Sequence, residues 1–205
     1  MSACAPAPQS PPLQVTPPQD NEITILAVGD SLTEGLGLAK ADAYPAQLEQ
    51  VLRSKGYSVK VVNAGVSGET SAGLKARMAW LARNPADIII LCSGANDGLR
   101  GLSVVQTREN LAYTIESLKL TNATIILAGM VAPQNNGEEY TSAFNNLHSS
   151  LAKEYSLPFI PFLLDGVIGD AQLNQRDEIH PTREGYAIVI ERNVLPILEP
   201  ILQSR

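Results

Sequence analysis

The run Asp177-Glu178-Ile179-His180-Pro181 holds the pairing best suited to moving a proton. A carboxylate three residues before a histidine can sit one turn back from it, accept the Nδ1 proton, fix the tautomer and stabilise the imidazolium. The chain has only two histidines, which narrows the choice of base. His148 falls beside Phe144 and Leu151 in a segment of helical period and reads as a packed histidine; His180, in a loop before a proline, is the candidate general base. Gly29-Asp30-Ser31-Leu32-Thr33-Glu34-Gly35 follows an apolar run, and a small polar residue at a strand-to-helix turn presents its hydroxyl and the nearby N–H groups at the sheet edge. Ser31 therefore suits a nucleophile or an anion cradle, although a plain turn serine fits this segment equally well. Gly68, in Asn63-Ala64-Gly65-Val66-Ser67-Gly68-Glu69-Thr70, would let a substrate oxygen approach a main-chain N–H with no Cβ in the way; a simple flexible loop is the alternative. Asn96, in Cys92-Ser93-Gly94-Ala95-Asn96-Asp97-Gly98, offers two amide donors that could point at the same place, again within ordinary turn chemistry.

Neighbouring polar residues read as scaffolding. Asp30 and Asp97 are expected to hold their loops through hydrogen bonds to the backbone rather than to transfer protons. Cys92 ends an apolar run and reads as a buried thiol. No His, Cys or carboxylate cluster has metal-ligand spacing, and the first loop lacks the Lys-Ser/Thr ending of a phosphate-binding loop, so no metal or other cofactor is expected. The chain order Ser, Asp, His occurs in α/β-hydrolases too, but their G-x-S-x-G elbow is missing.

The elements that must bring these positions together follow from periodicity. Short continuous apolar runs, ITILAV (23–28), YSVKVVN (57–63), DIIILC (87–92) and ATIILAG (123–129), read as strands covered on both faces, with a short fifth near Pro158 to Leu163. Helical period fills the gaps: Tyr44 to Lys55, Glu69 to Arg83, Ser103 to Lys119, Tyr140 to Tyr155, and Thr182 toward Leu198. The alternation predicts an α/β fold, a parallel sheet of about five strands between two helix layers, with any site at the carboxyl ends of the strands.

The chain has 205 residues, 44% of them hydrophobic, which suffices for a substantial core without disulfides. With 15 Lys plus Arg against 21 Asp plus Glu and no basic run, neither nucleic acid nor an anionic membrane is expected as a partner. No apolar stretch approaches the roughly 20 residues that span a bilayer, so a soluble chain is expected. Residues 1–21 hold six of the 14 prolines and no apolar period, and read as an extended, poorly ordered leader to a single globular domain, 22–205. Ser2-Ala3-Cys4 resembles the end of a bacterial lipoprotein signal, in which small residues precede a cysteine that becomes lipidated. The expectation is an exported protein, periplasmic or extracellular, with a lipid anchor at Cys4 in its native form; the alternative is an accidental thiol in a tail.

Taken in order, GDSLTEG (29–35), Gly68 in NAGVSGET (63–70), GAND (94–97) and DEIHP (177–181) resemble the four blocks of the SGNH (GDSL-type) hydrolase superfamily. Within it the chain is similar to the bacterial thioesterase I/lysophospholipase L1 and arylesterase group, also through SGANDGLRG (93–101) and FLLDGVIGDAQLNQRDEIHP (162–181). The resemblance implies a flavodoxin-like three-layer α/β/α sandwich. It implies Ser31 as nucleophile, His180 as general base and acid, Asp177 as its orienting carboxylate, and an oxyanion hole of the Ser31 N–H, the Gly68 N–H and the Asn96 amide. The activity implied is hydrolysis of small acyl esters, whether short-chain aryl or alkyl esters, thioesters or lysophospholipids. A carbohydrate O-acetylesterase is the alternative within the enzymes, and a non-catalytic lipid- or glycan-binding lipoprotein the alternative outside them. The loop Met130 to Tyr140 corresponds to the mobile loop bordering the acyl pocket in the resembling enzymes; some of these carry basic residues where this chain has Glu138-Glu139, a departure that weighs against strongly anionic substrates.

Overall fold

The computed structural model describes residues 22–205. The leader and Cys4, with the export reading attached to them, lie outside the described residues. Five strands, β1 (Ile23–Gly29), β2 (Val59–Gly65), β3 (Ile88–Cys92), β4 (Thr124–Ala128) and β5 (Phe159–Ile160), form one parallel sheet in the order β2-β1-β3-β4-β5. This is the doubly wound flavodoxin-like order, and its direction of winding reverses at β1 and β3, where a crevice opens at the carboxyl ends. The register pairs Gly29 with Gly65 on one side and with Cys92 on the other, so the loops leaving β1, β2 and β3 start side by side.

The unbroken apolar runs are explained by the two cores. Ile25, Ala27, Ile88, Ile90, Ile126 and Ala128 point to one face; Leu26, Val28, Ile89, Leu91, Ile125 and Leu127 point to the other. Because a strand presents successive side chains to opposite faces, only a run apolar at every position can serve both layers. The first core is closed by α2 (Tyr44–Ser54), α8 (Arg183–Ile188) and α9 (Leu195–Gln203). The second is closed by α3 (Ser71–Ala76), α4 (Met78–Leu81), α6 (Val104–Lys119) and α7 (Glu138–Tyr155). Two one-turn helices, α1 (Ser31–Glu34) and α5 (Ala95–Leu99), complete the set.

The structure departs from the expected elements in instructive places. The helix expected over 69–83 is two, broken at Arg77, whose φ of −98° and ψ of 10° leave the helical region. The last helix continues to Gln203 through a π-helical stretch, Val189–Val194, that precedes Pro196. Pro196 has no N–H to return to Arg192, and a ladder shifted by one residue absorbs that missing donor. The fifth strand is only two residues long. α7 starts at Glu138, which puts Glu138 and Glu139 in its first turn, where carboxylates favour the exposed N–H groups of a helix start. Among the described residues no helix is long and apolar enough to cross a membrane.

Candidate active site

β1 delivers the chain into the crevice at Asp30, which caps α1 by accepting the Leu32 N–H on Oδ1 at 3.0 Å. Ser31 is therefore the first helical residue. It is nearly buried, and its N–H is one that an α-helix leaves without an internal acceptor. The loop 173–182 runs back over it: an antiparallel bridge joins Asn174 to Pro181, and the Thr182 N–H donates to the Leu173 carbonyl. Within that loop Glu178 is held at φ 61°, while Asp177 Oδ1 accepts the N–H groups of Ile179 and His180, each at 3.0 Å. This tight turn carries the His180 ring toward β1.

The result is a continuous hydrogen-bonded chain. Asp177 Oδ2 lies 2.7 Å from His180 Nδ1, and His180 Nε2 lies 2.8 Å from Ser31 Oγ. With Nδ1–H donated to the carboxylate, Nε2 presents its lone pair to the serine hydroxyl. Desolvation lifts the Asp177 carboxyl, but the His180 and Ile179 N–H groups and the His180 ring outweigh it and hold it down at about 2. The carboxylate thus stays ionised over the whole range in which histidine titrates.

The other two sequence candidates sit on the neighbouring loops. Gly68 is exposed with φ 76°, a conformation that suits glycine, and its carbonyl accepts from Arg100 Nη2 at 3.0 Å. Neither the Ser31 nor the Gly68 N–H donates to a protein group among the described residues. Asn96 Nδ2 donates to the Glu69 carbonyl at 3.1 Å and, more weakly, to Asp30 Oδ2 at 3.4 Å. Asn96 thereby ties the loop that carries Gly68 to the one that carries Ser31. All five candidate positions lie on adjoining loops at the carboxyl end of the sheet.

Buried groups around the crevice set these loops. Asp97 accepts the Ser71 N–H at 2.8 Å, the Ser71 hydroxyl at 2.6 Å and the Thr107 hydroxyl at 3.1 Å; Asn110 adds a bond to Ser71. That network locks α5, and with it Asn96, against α3 and α6. Arg77 pairs with Glu69 at 2.6 Å and donates to the Ala64 carbonyl at 2.8 Å, joining the Gly68 loop to the end of β2. Glu34 accepts from the Ser67 N–H at 2.9 Å and from the Ser67 hydroxyl. Burial pushes the Asp30 carboxyl up to about 6, against the pull of the Leu32 N–H, the His180 ring and the Asn96 amide.

Residues discounted on sequence are found apart from this chain of bonds. His148 is buried beside Phe144, with Nε2 donating to the Ser93 carbonyl at 2.9 Å, and desolvation lowers its pKa. Cys92 is buried, and desolvation raises its thiol well above the usual range. No group of three or more His, Cys, Asp or Glu side chains among the described residues could hold a metal ion. The loop between β4 and α7 is pinned where Asn136 Nδ2 donates to the Gly98 carbonyl at 2.8 Å. Sequence reasoning passed over Arg77, Glu69, Arg100 and Gln175. Ion pairs and carbonyl contacts between distant loops carry no periodic signal, and only the Gly68 and His180 blocks marked where to look.

Comparison with known proteins places this geometry in context. The profile of the GDSL-like Lipase/Acylhydrolase family matches residues 27–188. Esterase TesA of Pseudomonas aeruginosa is 38% identical over 180 residues, covering 87% of this chain and 89% of its own. Thioesterase 1/protease 1/lysophospholipase L1 of Escherichia coli K12 is 36% identical over 169 residues, covering 82% and 80%. The esterase EstA from Pseudoalteromonas sp., solved inhibited by monoethylphosphonate, superposes with a TM-score of 0.83 at 26% identity, covering 89% of this chain and 100% of its own.

Proposed function

The chain belongs to the GDSL-like Lipase/Acylhydrolase family, a hydrolase family whose members similar to this chain are named esterases and thioesterases, and from that premise we propose that it cleaves carboxylic esters through an acyl-enzyme on Ser31. The observation that carries the reading is the chain of bonds from Asp177 through His180 to Ser31, at 2.7 and 2.8 Å. Ser31 Oγ attacks the ester carbonyl as His180 Nε2 takes its proton, and the carbonyl π electrons move onto oxygen. The Ser31 and Gly68 N–H groups, both without acceptors among the described residues, and the Asn96 amide are suited to stabilise that oxyanion. His180 then returns the proton to the leaving oxygen or sulfur as the C–O or C–S bond breaks. A water, deprotonated by the same nitrogen, releases the acid and restores Ser31.

Substrates in this reading are short-chain aryl and alkyl esters, with thioesters and lysophospholipids in the same class. A fluorophosphonate probe should label the protein stoichiometrically, and Ser31→Ala should abolish both labelling and turnover. His180→Ala should do the same, and Asp177→Asn should keep only a small residue of activity because the ring loses its charge partner and tautomer control. Unchanged ester turnover in a folded Ser31→Ala or His180→Ala variant would sink the mechanism. A kinetic panel of p-nitrophenyl esters of increasing chain length, with acyl-CoA, lysophospholipid and acetylated xylan beside it, ranks the substrates. Export and a lipid anchor rest on Ser2-Ala3-Cys4 alone. Incorporation of labelled palmitate into the natively expressed protein that vanishes in Cys4→Ser would support the anchor, and no incorporation there would remove it.

A further inference from the structure

The nucleophile and the base stand on segments 149 residues apart, so something must set the gap between them besides the bond they share. Two side chains span it. Tyr186, on α8, donates its hydroxyl to the Leu32 carbonyl at 2.8 Å. Gln175 lies on the base loop itself, and both hydrogens of its amide are used: Nε2 donates to the Leu36 carbonyl at 2.8 Å and to the Pro181 carbonyl at 3.1 Å. Its own backbone N–H donates to the His180 carbonyl at 2.7 Å, and its carbonyl accepts from Glu178 at 2.9 Å. One residue therefore holds the turn on both sides of His180 and the segment that follows Ser31. Its Oε1 packs into the space over Gly37, where φ is 82° and any Cβ would collide with the amide.

We propose that Gln175 is a positioning residue for the reaction: its amide, seated over Gly37, clamps the base loop to the nucleophile loop and sets the reach of His180 Nε2 to Ser31 Oγ. It touches neither reacting atom, so its effect is on the geometry of proton transfer and not on substrate binding. A misplacement of about 1 Å at a reacting pair costs on the order of 10²-fold in rate. The inference rests on the proposed roles of Ser31 and His180 and adds a residue that those roles do not require.

The test is a double-mutant cycle read in kcat and KM for p-nitrophenyl acetate, on the full chain, with folding followed by circular dichroism and Tm. Gln175→Met keeps the length of the side chain and removes its donors; it should lower kcat roughly 10- to 100-fold with KM within about threefold. Gly37→Ala should lower kcat in the same way by expelling the amide. In the double variant Gly37→Ala with Gln175→Ala the side-chain atoms that a Cβ at 37 would meet are gone, so kcat should match that of Gln175→Ala alone instead of falling by the product of the two losses. A folded Gln175→Met enzyme with kcat within twofold of the parent, or losses that multiply in the double variant, would overturn the clamp. Ser31→Ala in the same assay keeps the two readings apart: if it is inactive while Gln175→Met is normal, only the clamp fails, and if it is active the proposed reaction fails.

Discussion

Asn96 occupies a position where chemistry and architecture compete for the same two hydrogens. At rest its amide donates to the Glu69 carbonyl and leans on Asp30. Asn96→Ala should lower kcat on the order of 10²–10³-fold with little change in KM if the amide serves the transition state. Asn96→Asp should be at least as damaging, because it sets a carboxylate against an oxyanion, a carbonyl and the Asp30 carboxyl; a fully active Asn96→Asp enzyme would remove Asn96 from the site. Asp30 itself makes a prediction about pH. Its folded pKa of about 6 stands above the ordinary 3.8, so between these values the folded chain keeps a proton that the unfolded chain has lost. Stability must therefore fall as pH rises from 4 to 6, by roughly 3 kcal/mol for two units, and remain lower above that window. Asp177 runs the other way: its folded value of about 2 lies below 3.8, so its contribution is present above pH 4 and is lost as pH falls toward 2. That contribution is small, because the carboxylate is nearly half exposed. Urea unfolding of Asp30→Asn should show a flattened slope between pH 4 and 6, and an unchanged slope would assign the effect elsewhere.

At the scale of elements, the break between α3 and α4 shows a local helical tendency giving way to a tertiary bond. Residues 69–83 have the period of one helix, yet the chain turns at Arg77 and its guanidinium reaches Glu69 and the Ala64 carbonyl. The Glu69 side chain is only 7% exposed in this pair. Arg77→Met strands that carboxylate and should cost about 3–5 kcal/mol, whereas adding Glu69→Gln should recover part of the loss. Equilibrium denaturation of the two variants checks this, and a cost under 1 kcal/mol for Arg77→Met would mean that Glu69 finds water instead. The same variants should slow ester turnover, since Gly68 precedes Glu69 directly.

For the whole molecule, both cores and all five candidate positions are built from residues 22–205. Deletion through Asn21 is therefore expected to leave ester turnover within about twofold of the parent and Tm unchanged, as the proline-rich composition of residues 1–21 predicts. A large loss of either would mean that residues 1–21 dock on the body.

What the sequence determined by itself was everything local or repeated. Ile88 to Cys92 is apolar at every position, which only a strand covered on both faces requires, and four largely apolar runs with a short fifth strand, alternating with helical periods, leave a doubly wound parallel sheet as the simple solution. The candidate residues were legible in part: with two histidines in the chain His180 stood out as the base, whereas the roles of Ser31, Gly68 and Asn96, each in a segment that ordinary turn chemistry also fits, followed only from the resemblance to the SGNH blocks. Tertiary structure decided which of those groups actually meet. The 2.8 Å between His180 and Ser31, the turn at Arg77, the π-helical stretch before Pro196 and the seat of Gln175 over Gly37 all arise where distant segments close on one another. Such approaches are set by packing and by the need of every buried polar group for a partner, and neither leaves a period in the chain to be read.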